Sequence, residues 1–582
     1  MGIVFITISN IFGLYPAQVI RETFKVLENK YLNKSFDTSE FLFAQHIADL
    51  DLSHLLMAFG LIVLGLAIAK GIFTFLMRQT IIVMSRLIEF DLKNEIFSHY
   101  QDLDATFYKL NNTGDIMNRI SEDVTRVRMY LGPGIMYTIN LAVLFVLVIG
   151  KMISINPKLT FYSLAPLPIL SLLIYIVSNK INKQSEVVQS ELSNLSTVSQ
   201  ETFSGIRVIK SFVKETFISK KYGEASEAYM NQSLKLVKIN ALFHPIMMLL
   251  IGLSTIFTIY VGANEYLKGN IDSPGYIAEF IIYVNMLTWP VTALGWVTSL
   301  VQRAAASQKR INEFLQTKPV ITYPKTEDIA IKGKIEFRNV SFTYPESGIV
   351  ALKNINFKIE PGETLAIIGK TGSGKSSIAQ LILRIYDATE GEILIDDKPI
   401  KSYDLQKLRK HIGYVPQEVF LFSDSIKNNI AFGFNNGELP SSNVIEQATK
   451  DAVVYHNIID FPNQFETKLG ERGVTLSGGQ KQRISIARAI IKSPEILIFD
   501  DCLSAVDTET ESEILNNLTP IMKNKTSIII SHRISSIKHA NEILVLENGE
   551  IVEKGTHEEL LKNKNIYYET YQKQLLESEN RR

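Results

Sequence analysis

The residues best suited to chemistry form one short loop, Gly-Lys-Thr-Gly-Ser-Gly-Lys-Ser, at positions 369–376. The loop fits the pattern G-x-x-x-x-G-K-[S/T], in which glycines let successive backbone N–H groups point at phosphate oxygens. An apolar run at 364–368 predicts a strand before it, and the pattern at 377–385 predicts a helix after it. A glycine-rich turn with a chance lysine is the alternative, and the strand–loop–helix context argues against it. The spacing therefore predicts a nucleoside triphosphate site.

Both side chains and backbone groups of such a loop contact the nucleotide. Lys375 is expected to reach the β- and γ-phosphates, and the Ser376 hydroxyl is expected to ligate Mg²⁺. The helix N-terminus adds a partial positive charge. The residues that we expect at the nucleotide in this stretch are Gly369, Lys370, Thr371, Gly372, Ser373, Gly374, Lys375, Ser376 and Ser377.

Two further motifs follow the loop along the chain. Asp500 closes the apolar run 496–499, where a carboxylate at the end of a strand can hold Mg²⁺. Ser477, Gly478, Gly479 and Gln480 precede a predicted helix at 481–491 and form a second phosphate-binding surface. One nucleotide cannot easily use two separated surfaces of the same chain. The pair of surfaces therefore suggests a dimer with ATP at its seam.

Composition narrows the class of protein. The chain has 582 residues, enough for more than one domain. Its 60 Lys and Arg residues balance 60 Asp and Glu residues, so the net basic field that nucleic-acid binding needs is missing. Cys502 is the single cysteine, which excludes an intrachain disulfide framework. Almost all long apolar runs precede residue 305, so the two halves are expected to meet different solvents.

The first half predicts six membrane-spanning helices, since about 20 mostly apolar residues suffice to cross a bilayer. A secretory signal peptide is the alternative for the first segment, but no basic stretch precedes it and no small-residue cleavage site follows. Its abrupt start at Met1 suggests that a cytoplasmic lead sequence is missing. Buried helices of a large soluble core are the alternative for the whole set, and so many long apolar runs argue against it. The predicted spans are 2–20, 52–77, 135–155, 159–177, 242–267 and 276–301.

The two longest connections, 78–134 and 178–241, keep helical apolar stripes. Spans two to five are therefore expected to project beyond the membrane on one side. The ATP-binding half follows span six and needs cytosolic ATP, so we expect this half and both termini in the cytoplasm. Segments 113–119 and 205–210 each place a glycine before a short basic amphipathic turn. We interpret them as short helices that dock on the ATPase, with ordinary solvated loops as the alternative.

Prolines and polar residues interrupt the last two spans. Such residues can line a pathway through the membrane or serve packing, and the sequence favours neither interpretation. The residues concerned are His244 and Pro245 in span five, and Asn285, Thr288, Trp289, Pro290, Trp296 and Thr298 in span six.

With both halves in view, the chain resembles an ATP-binding cassette (ABC) half-transporter, a type IV exporter of the lipid or multidrug kind, over essentially its full length. The resemblance implies a six-span α-helical transmembrane domain, followed by an α/β, RecA-like P-loop ATPase domain with an antiparallel β subdomain and a helical subdomain. We place the transmembrane domain at 1–318, the linker at 319–334, the ATPase domain at 335–575 and a polar tail at 576–582. The resemblance implies a multi-pass protein of the cell (inner) membrane that uses ATP and Mg²⁺.

The resemblance also assigns roles to residues at the family's motif positions. Tyr344 is expected to stack on adenine, Gln417 to sense Mg²⁺ and the attacking water, and His532 to contact the γ-phosphate. Segment 470–473 is expected to contact the coupling helices, and Asp507, in the loop 504–507, to lie at the dimer seam. Together with Lys375 and Asp501, residues Gln417 and His532 form the expected catalytic set.

One position departs from the family's pattern. After Asp500 the family usually has a glutamate that polarises the attacking water, and this chain has Asp501. The shorter side chain withdraws the carboxylate by roughly 1 Å, a shift that can cost about 100-fold in rate. Family members with Asp here often pair with a different chain that supplies a competent site. We therefore favour a heterodimer slightly over a homodimer.

The expected function is ATP-driven export of an amphipathic drug, lipid or lipid-linked molecule, with the substrate class taken from the resemblance alone. The alternative is an ATP-gated channel or regulatory receptor built on the same architecture. A soluble ABC ATPase is excluded because it cannot accommodate the membrane half.

Overall fold

The structure is a computed structural model, and it describes residues 1–31, 52–324, 330–434, 440–470, 476–504 and 506–579. The chain divides into two compact units. The membrane unit comprises Met1–Gln101 and Gly114–Thr317, and the ATPase unit comprises Asp102–Thr113 and Lys318–Arg582. The chain therefore leaves the membrane unit after Gln101 and re-enters it at Gly114.

Long helices make up the membrane unit. Among the described residues, six helical stretches of 27, 50, 43, 48, 53 and 41 residues are long and apolar enough to cross a membrane, which confirms the six predicted spans. The helices are α1 (Gly2–Tyr31), α2 (Leu52–Asp102), α4 (Thr113–Asn118), α5 (Val124–Met129), α6 (Ile135–Ile155), α7 (Pro157–Leu164), α8 (Pro166–Ser204), α9 (Ile206–Ser211), α10 (Glu215–Leu267) and α11 (Gly275–Leu315).

The longest of these helices far exceed the thickness of a bilayer. At about 1.5 Å per residue, the 51 residues of α2 extend about 75 Å, more than twice a hydrocarbon core of about 30 Å. Helices α4, α5 and α6 follow one another through two π-helical turns, Arg119–Asp123 and Tyr130–Gly134. The next helix begins where Asn156 accepts a hydrogen bond from the Leu159 N–H, with Pro157 in the first turn.

Both predicted docking segments form helices of the membrane unit, and the helix of the first long connection that belongs to the ATPase unit is a different one. Residues 113–119 form α4 and the start of a π-helical turn, and from Gly114 onward they belong to the membrane unit. The helix that belongs to the ATPase unit is α3 (Ala105–Leu110), which begins where Asp104 accepts hydrogen bonds from the N–H groups of Thr106 and Phe107. The second predicted segment forms α9 within the membrane unit.

The ATPase unit contains two sheets. An antiparallel sheet has the strand order β2-β1-β4-β5, and a six-stranded sheet has the order β10-β9-β3-β8-β7-β6, parallel except for β10. The strands are β1 (Ile335–Thr343), β2 (Val350–Ile359), β3 (Thr364–Gly369), β4 (Glu390–Ile395), β5 (Lys398–Pro399), β6 (Ile412–Val415), β7 (Ile496–Asp500), β8 (Thr526–Ile530), β9 (Glu542–Glu547) and β10 (Glu550–Gly555).

Helices complete the ATPase unit on either side of this sheet and between β6 and β7. They are α12 (Lys375–Ile382), α13 (Leu405–Lys410), α14 (Ile426–Ala431), α15 (Ser442–Asp451), α16 (Tyr455–Ile459), α17 (Gly478–Ile490), α18 (Thr508–Met522), α19 (His557–Asn563) and α20 (Ile566–Glu579). Together with the two sheets they confirm the predicted fold class, including its antiparallel β part and its helical part.

The central strands bring the candidate site together. All five residues of β7 and all five of β8 are buried, as expected for parallel strands that are covered on both faces. Strand β8 lies between β3 and β7, and Ile530 is paired with both Ile367 and Asp500. The carboxyl ends of these three strands therefore lie side by side, and the loops that follow them converge at one sheet edge.

Candidate functional site

The phosphate loop connects β3 to α12 through two glycines in the left-handed region. Gly372 has φ +80° and Gly374 has φ +99°, which only glycine adopts without strain. A Cβ on Gly374 would lie 2.4 Å from the Ala351 carbonyl oxygen, so this position has no room for a side chain. The Ser373 hydroxyl is buried and has no partner among the described residues. The loop thus has the close-packed backbone and the polar groups that bind phosphate in loops of this kind.

Lys375 lies across the loop that carries it. Its Nζ donates hydrogen bonds to the carbonyl oxygens of Gly369 and Lys370, each at 2.8 Å, and the residue is 6% exposed. Burial lowers the pKa of Lys375, while the charges of Asp501 and Asp500 act in the opposite direction. A triphosphate beside this ammonium group would favour its charged form and so offset the cost of burying the charge.

Two of the predicted magnesium ligands are in direct contact. Ser376 Oγ donates a hydrogen bond to Asp500 Oδ1 at 2.9 Å, and Asp500 is 2% exposed. Burial raises the pKa of Asp500, and the hydrogen bonds from Ser376 and Tyr414 oppose that rise. A hydroxyl and a carboxylate are oxygen ligands of the kind that Mg²⁺ prefers, so the pair fits this ion.

Tyr414 is a neighbour of Asp500 that sequence reasoning missed. Its hydroxyl donates to Asp500 Oδ2 at 3.4 Å, from the strand β6 that pairs with β7. Burial raises the pKa of Tyr414, so this hydroxyl keeps its proton. Its position two residues before Pro416 and three before Gln417 is the signal that could have pointed to it.

Asp501 and Gln417 also come together. Gln417 Nε2 lies 3.4 Å from Asp501 Oδ2, which is a long hydrogen bond compared with about 2.9 Å for a typical one. Asp501 adopts the left-handed region with φ +45°, and its N–H donates to the Ile530 carbonyl oxygen at 2.8 Å. The backbone therefore holds the Asp501 carboxylate at the sheet edge, next to the Asp500 site.

His532 follows β8 at the same edge. Burial and the nearby charge of Lys375 lower the pKa of His532, so its ring is neutral near pH 7. Its carbonyl oxygen accepts a hydrogen bond from Gln574 at 2.7 Å. The neighbouring Arg533 donates to the Ser504 and Val506 carbonyl oxygens, each at 3.3 Å, and also pairs with the buried Glu511. Sequence reasoning missed Gln574, Arg533 and Glu511, which hold this loop in place.

Tyr344 lies beside the helix that follows the phosphate loop. Its hydroxyl is 2.9 Å from Ser377 Oγ and donates to Gln380 Oε1 at 3.1 Å. Lys109, from α3, places its Nζ 4.8 Å from the Tyr344 ring centre and pairs with Glu346 at 2.8 Å. This cation–π contact was not predicted, because Lys109 lies 235 positions before Tyr344 in the sequence.

The second predicted phosphate surface is a capped helix N-terminus. Ser477 accepts from the Gln480 N–H at 3.3 Å, and Gln480 Oε1 accepts from the Ser477 N–H at 2.9 Å, which forms a capping box before Gly478 and Gly479. Within the described parts of the chain, no hydrogen bond or ion pair joins this cap to the phosphate loop. The structure therefore brings the P-loop, Asp500, Asp501, Gln417 and His532 together, and among the described residues the cap makes no hydrogen bond or ion pair with them.

Asp507 is the N-cap of α18. Its side chain accepts a hydrogen bond from the Thr510 N–H at 2.9 Å, and backbone hydrogen bonds lower the pKa of Asp507. Of the predicted coupling segment 470–473, only Gly470 lies within the described residues, and Ala505 lies outside them.

Comparison with known proteins agrees with this arrangement. The family model for the ABC transporter transmembrane region matches residues 1–291, and the model named ABC transporter matches residues 352–504. The chain belongs to the ABC transporter family. It is a multi-pass integral membrane protein and an exporter half-transporter of the multidrug and lipid A flippase type.

Particular relatives cover most of both chains. The probable multidrug resistance ABC transporter ATP-binding/permease protein YheI of Bacillus subtilis is 37% identical over 88% of this chain and 89% of its own length. The ATP-dependent lipid A-core flippase of Pseudomonas fluorescens Pf0-1 is 35% identical over 88% of this chain and 85% of its own. The solved structure of a bacterial Atm1-family ABC exporter with ATP bound has the same fold, with a TM-score of 0.79 at 24% identity over 98% of both chains.

Proposed function

We propose that this chain is one half of an ATP-driven exporter, which pairs with a second half-transporter chain and moves an amphipathic molecule from the cytoplasmic side outward. The observation that carries the proposal is the convergence of Lys375, Asp500, Asp501 and His532 at one sheet edge, in a chain that also has six helices of membrane-spanning length. ATP binding and hydrolysis drive the change of access in this proposal.

The proposed domain division is a transmembrane domain at 1–318, a linker at 319–334, an ATPase domain at 335–575 and a tail at 576–582. The ATPase domain and both termini lie in the cytoplasm, because ATP is available there. Helix α3 is an exception to this division. It lies within the range 1–318 in sequence, but it belongs to the ATPase unit.

The proposed catalytic roles follow from the contacts at the sheet edge. Lys375 binds the phosphates, and Ser376, Asp500 and Gln417 hold Mg²⁺, which supplies positive charge against the phosphate oxygens when it is bound. Asp501 accepts a proton from the attacking water, which Gln417 helps to orient. His532, neutral near pH 7, donates a hydrogen bond from its ring N–H to a γ-phosphate oxygen without adding repulsion to Lys375. The further nucleotide contacts are Tyr344, Gly369–Gly374 and Ser377.

Asp501 makes this chain's own site a slow one in this proposal. Its carboxylate reaches Gln417 only through a 3.4 Å contact, and a glutamate would extend further. The cap formed by Ser477 and Gln480, with Gly478 and Gly479, completes the site of the partner together with Asp507. The chain thus has an intact cap for its partner's site but a weaker base, Asp501, in its own site. This combination favours a heterodimer slightly over a homodimer.

The proposed substrate is an amphipathic drug, lipid or lipid-linked molecule. The relatives support this class, because one is named for multidrug resistance and another is a lipid A-core flippase.

The proposal is tested with inverted membrane vesicles, in which the cytoplasmic side of the protein faces the medium. A fluorescent amphiphile should accumulate inside when MgATP is added, and vesicles with the Lys375→Ala variant should not accumulate it. Passive, ATP-gated ion conductance without accumulation would overturn the proposal and indicate a channel. Mass spectrometry of the natively purified protein would show whether a second, different chain accompanies it.

A further inference from the structure

A cavity of about 460 Å³ opens in the membrane unit between α2 and the beginning of α6. Its volume lies within the range of about 300–1,000 Å³ that is typical of small-molecule sites. Residues from α2 form one side, and residues around the second π-helical turn form the other. The lining residues are Phe75, Arg78, Gln79, Ile82, Val83, Pro133, Met136 and Tyr137.

Arg78 is the charged residue of this cavity. It is exposed, and within the described part of the chain neither its guanidinium group nor the Gln79 amide has an ion-pair or hydrogen-bond partner. Two other arginines nearby differ, because Arg86 and Arg128 both reach the Glu89 carboxylate, at 2.9 and 3.3 Å. Arg78 directly follows the predicted span 52–77, so its guanidinium group lies where a charged side chain can meet the head group of an amphiphile whose alkyl chain is in the membrane.

Aromatic rings form the wall beside this arginine. Tyr137 packs against Trp289 and Trp296 of α11, with ring centres 5.5 Å apart in both pairs. Phe75, Ile82 and Met136 supply apolar surface on the cavity lining. The site thus combines one cation, an amide and a phenol hydroxyl with a large apolar wall.

The π-helical turn Tyr130–Gly134 shapes the other side of the cavity. Pro133 lies inside this turn and lines the cavity, and π-helical turns often occur at functional sites. At Gly132 the turn approaches α2 closely, since a Cβ there would lie 2.6 Å from Ser85 Oγ and 3.4 Å from the Ile82 side chain. The turn and α2 are therefore packed tightly against each other next to Ile82 of the cavity wall.

We propose that this cavity binds an amphiphile with an anionic head group, and that Arg78 holds the head group while the alkyl chain lies along the aromatic and aliphatic wall. A guanidinium group suits phosphate or carboxylate oxygens because it can donate two parallel hydrogen bonds. Gln79 and Tyr137 add neutral donors, and the apolar lining excludes an ion without a tail. The proposal rests on the proposed export function, since it names the substrate class that enters the membrane unit.

The chain carries its own reporter for this site. It has two tryptophans, and both pack against Tyr137 of the cavity. Tryptophan fluorescence of the full chain, purified in dodecyl maltoside without ATP, can therefore be titrated with dodecyl phosphate. We expect a saturable change, while inorganic phosphate and dodecyltrimethylammonium should cause none at the same concentrations. The assay contains no ATP, so a failure of transport would not alter it.

Substitutions at Arg78 test the head-group contact. Arg78→Ala and Arg78→Gln should each raise the Kd for dodecyl phosphate by about tenfold to 100-fold, as for the loss of a charged hydrogen bond. Arg78→Lys should keep part of the affinity, and Arg86→Gln, eight residues along the same helix, should leave the Kd unchanged. The gel-filtration profile of each variant confirms that it is folded.

Three outcomes would overturn the proposal: equal affinity for dodecyltrimethylammonium, a saturable response to inorganic phosphate alone, or an unchanged Kd in folded Arg78→Ala and Arg78→Gln. The second of these would indicate a site for free phosphate. None of the three would bear on ATP-driven export itself, which the vesicle experiment tests separately.

Discussion

Replacement of Asp501 by glutamate should raise the ATPase activity of the purified protein. In the structure, Asp501 Oδ2 lies 3.4 Å from Gln417 Nε2, beyond the distance of about 2.9 Å for a well-formed hydrogen bond. One added methylene group moves the carboxylate outward by roughly 1 Å, towards the position where water must be held. The contact is about 0.5 Å longer than a well-formed hydrogen bond, so the roughly 1 Å that the substitution adds is enough to close it.

The expected magnitude follows from the sensitivity of catalysis to position. A displacement of about 1 Å can cost about 100-fold in rate, equivalent to about 2.7 kcal/mol of activation free energy. The left-handed backbone at φ +45° opposes the gain slightly, since aspartate tolerates this region better than glutamate. That cost falls on folding stability more than on the chemical step. We expect kcat to rise by about tenfold to 100-fold.

The assay is phosphate release at saturating MgATP by the purified protein, with ATP affinity measured in parallel. Asp501→Asn is the matched control, because it keeps the length of the side chain and removes its ability to accept a proton, so kcat should fall. If Asp501→Glu binds ATP normally and its kcat is unchanged or lower, the argument from carboxylate position is refuted.

Three other substitutions test neighbouring parts of the site. Lys375→Ala should weaken ATP binding by at least tenfold, since it removes the ammonium group that the phosphates would meet. The control Lys358→Ala, at a surface ion pair in β2, should leave ATP binding unchanged. Equal Kd values of the two variants for a fluorescent ATP analogue would contradict the P-loop assignment. Tyr344→Ala should raise the same Kd by about fivefold to 100-fold, which corresponds to the usual free energy of stacking between a base and an aromatic side chain. Tyr344→Phe keeps the ring and should keep most of the affinity. A similar loss in both variants would rule out stacking. Glu511→Ala should lower the free energy of unfolding by about 1–3 kcal/mol, because it removes the buried acceptor of Ser535 and Ser536 and the ion-pair partner of the half-buried Arg533. A thermal or urea unfolding curve that matches the wild type would disprove that role.

Much of the site could be predicted because its residues are local in sequence. The spacing from Gly369 to Ser376 specifies a loop of fixed chemistry between a strand and a helix, and the structure has both. Asp500 was predicted from the end of an apolar run, and it lies at the end of β7. In each case a short stretch of consecutive residues is enough to predict both the local structure and the group that it presents.

The missed residues depend on which strands and helices are neighbours. Tyr414 reaches Asp500 across 86 positions because β6 pairs with β7, and Arg533 reaches Glu511 across 22. Lys109 meets Tyr344 because the chain enters the ATPase unit for a short stretch, Asp102–Thr113. A hydrophobic pattern does not contain this information.

Helix α3 was also not predicted, for a related reason. The basic amphipathic pattern points to Gly114 and the residues after it, whereas the helix of the ATPase unit starts at the N-cap Asp104. Aspartate is a strong N-cap, and its side chain accepts hydrogen bonds from Thr106 and Phe107. Capping is therefore the signal that identifies α3, and the basic turn that follows Gly114 continues into the helices of the membrane unit.

Uphill movement of substrate tests the central claim most directly. The purified protein is reconstituted into sealed liposomes with a fluorescent amphiphile at equal concentration on both sides, and MgATP is added outside. Molecules whose ATPase domain faces outward should build a gradient into the lumen, and the gradient should be absent with Lys375→Ala. A concentration that stays equal on both sides while ATP is hydrolysed would contradict an ATP-driven exporter.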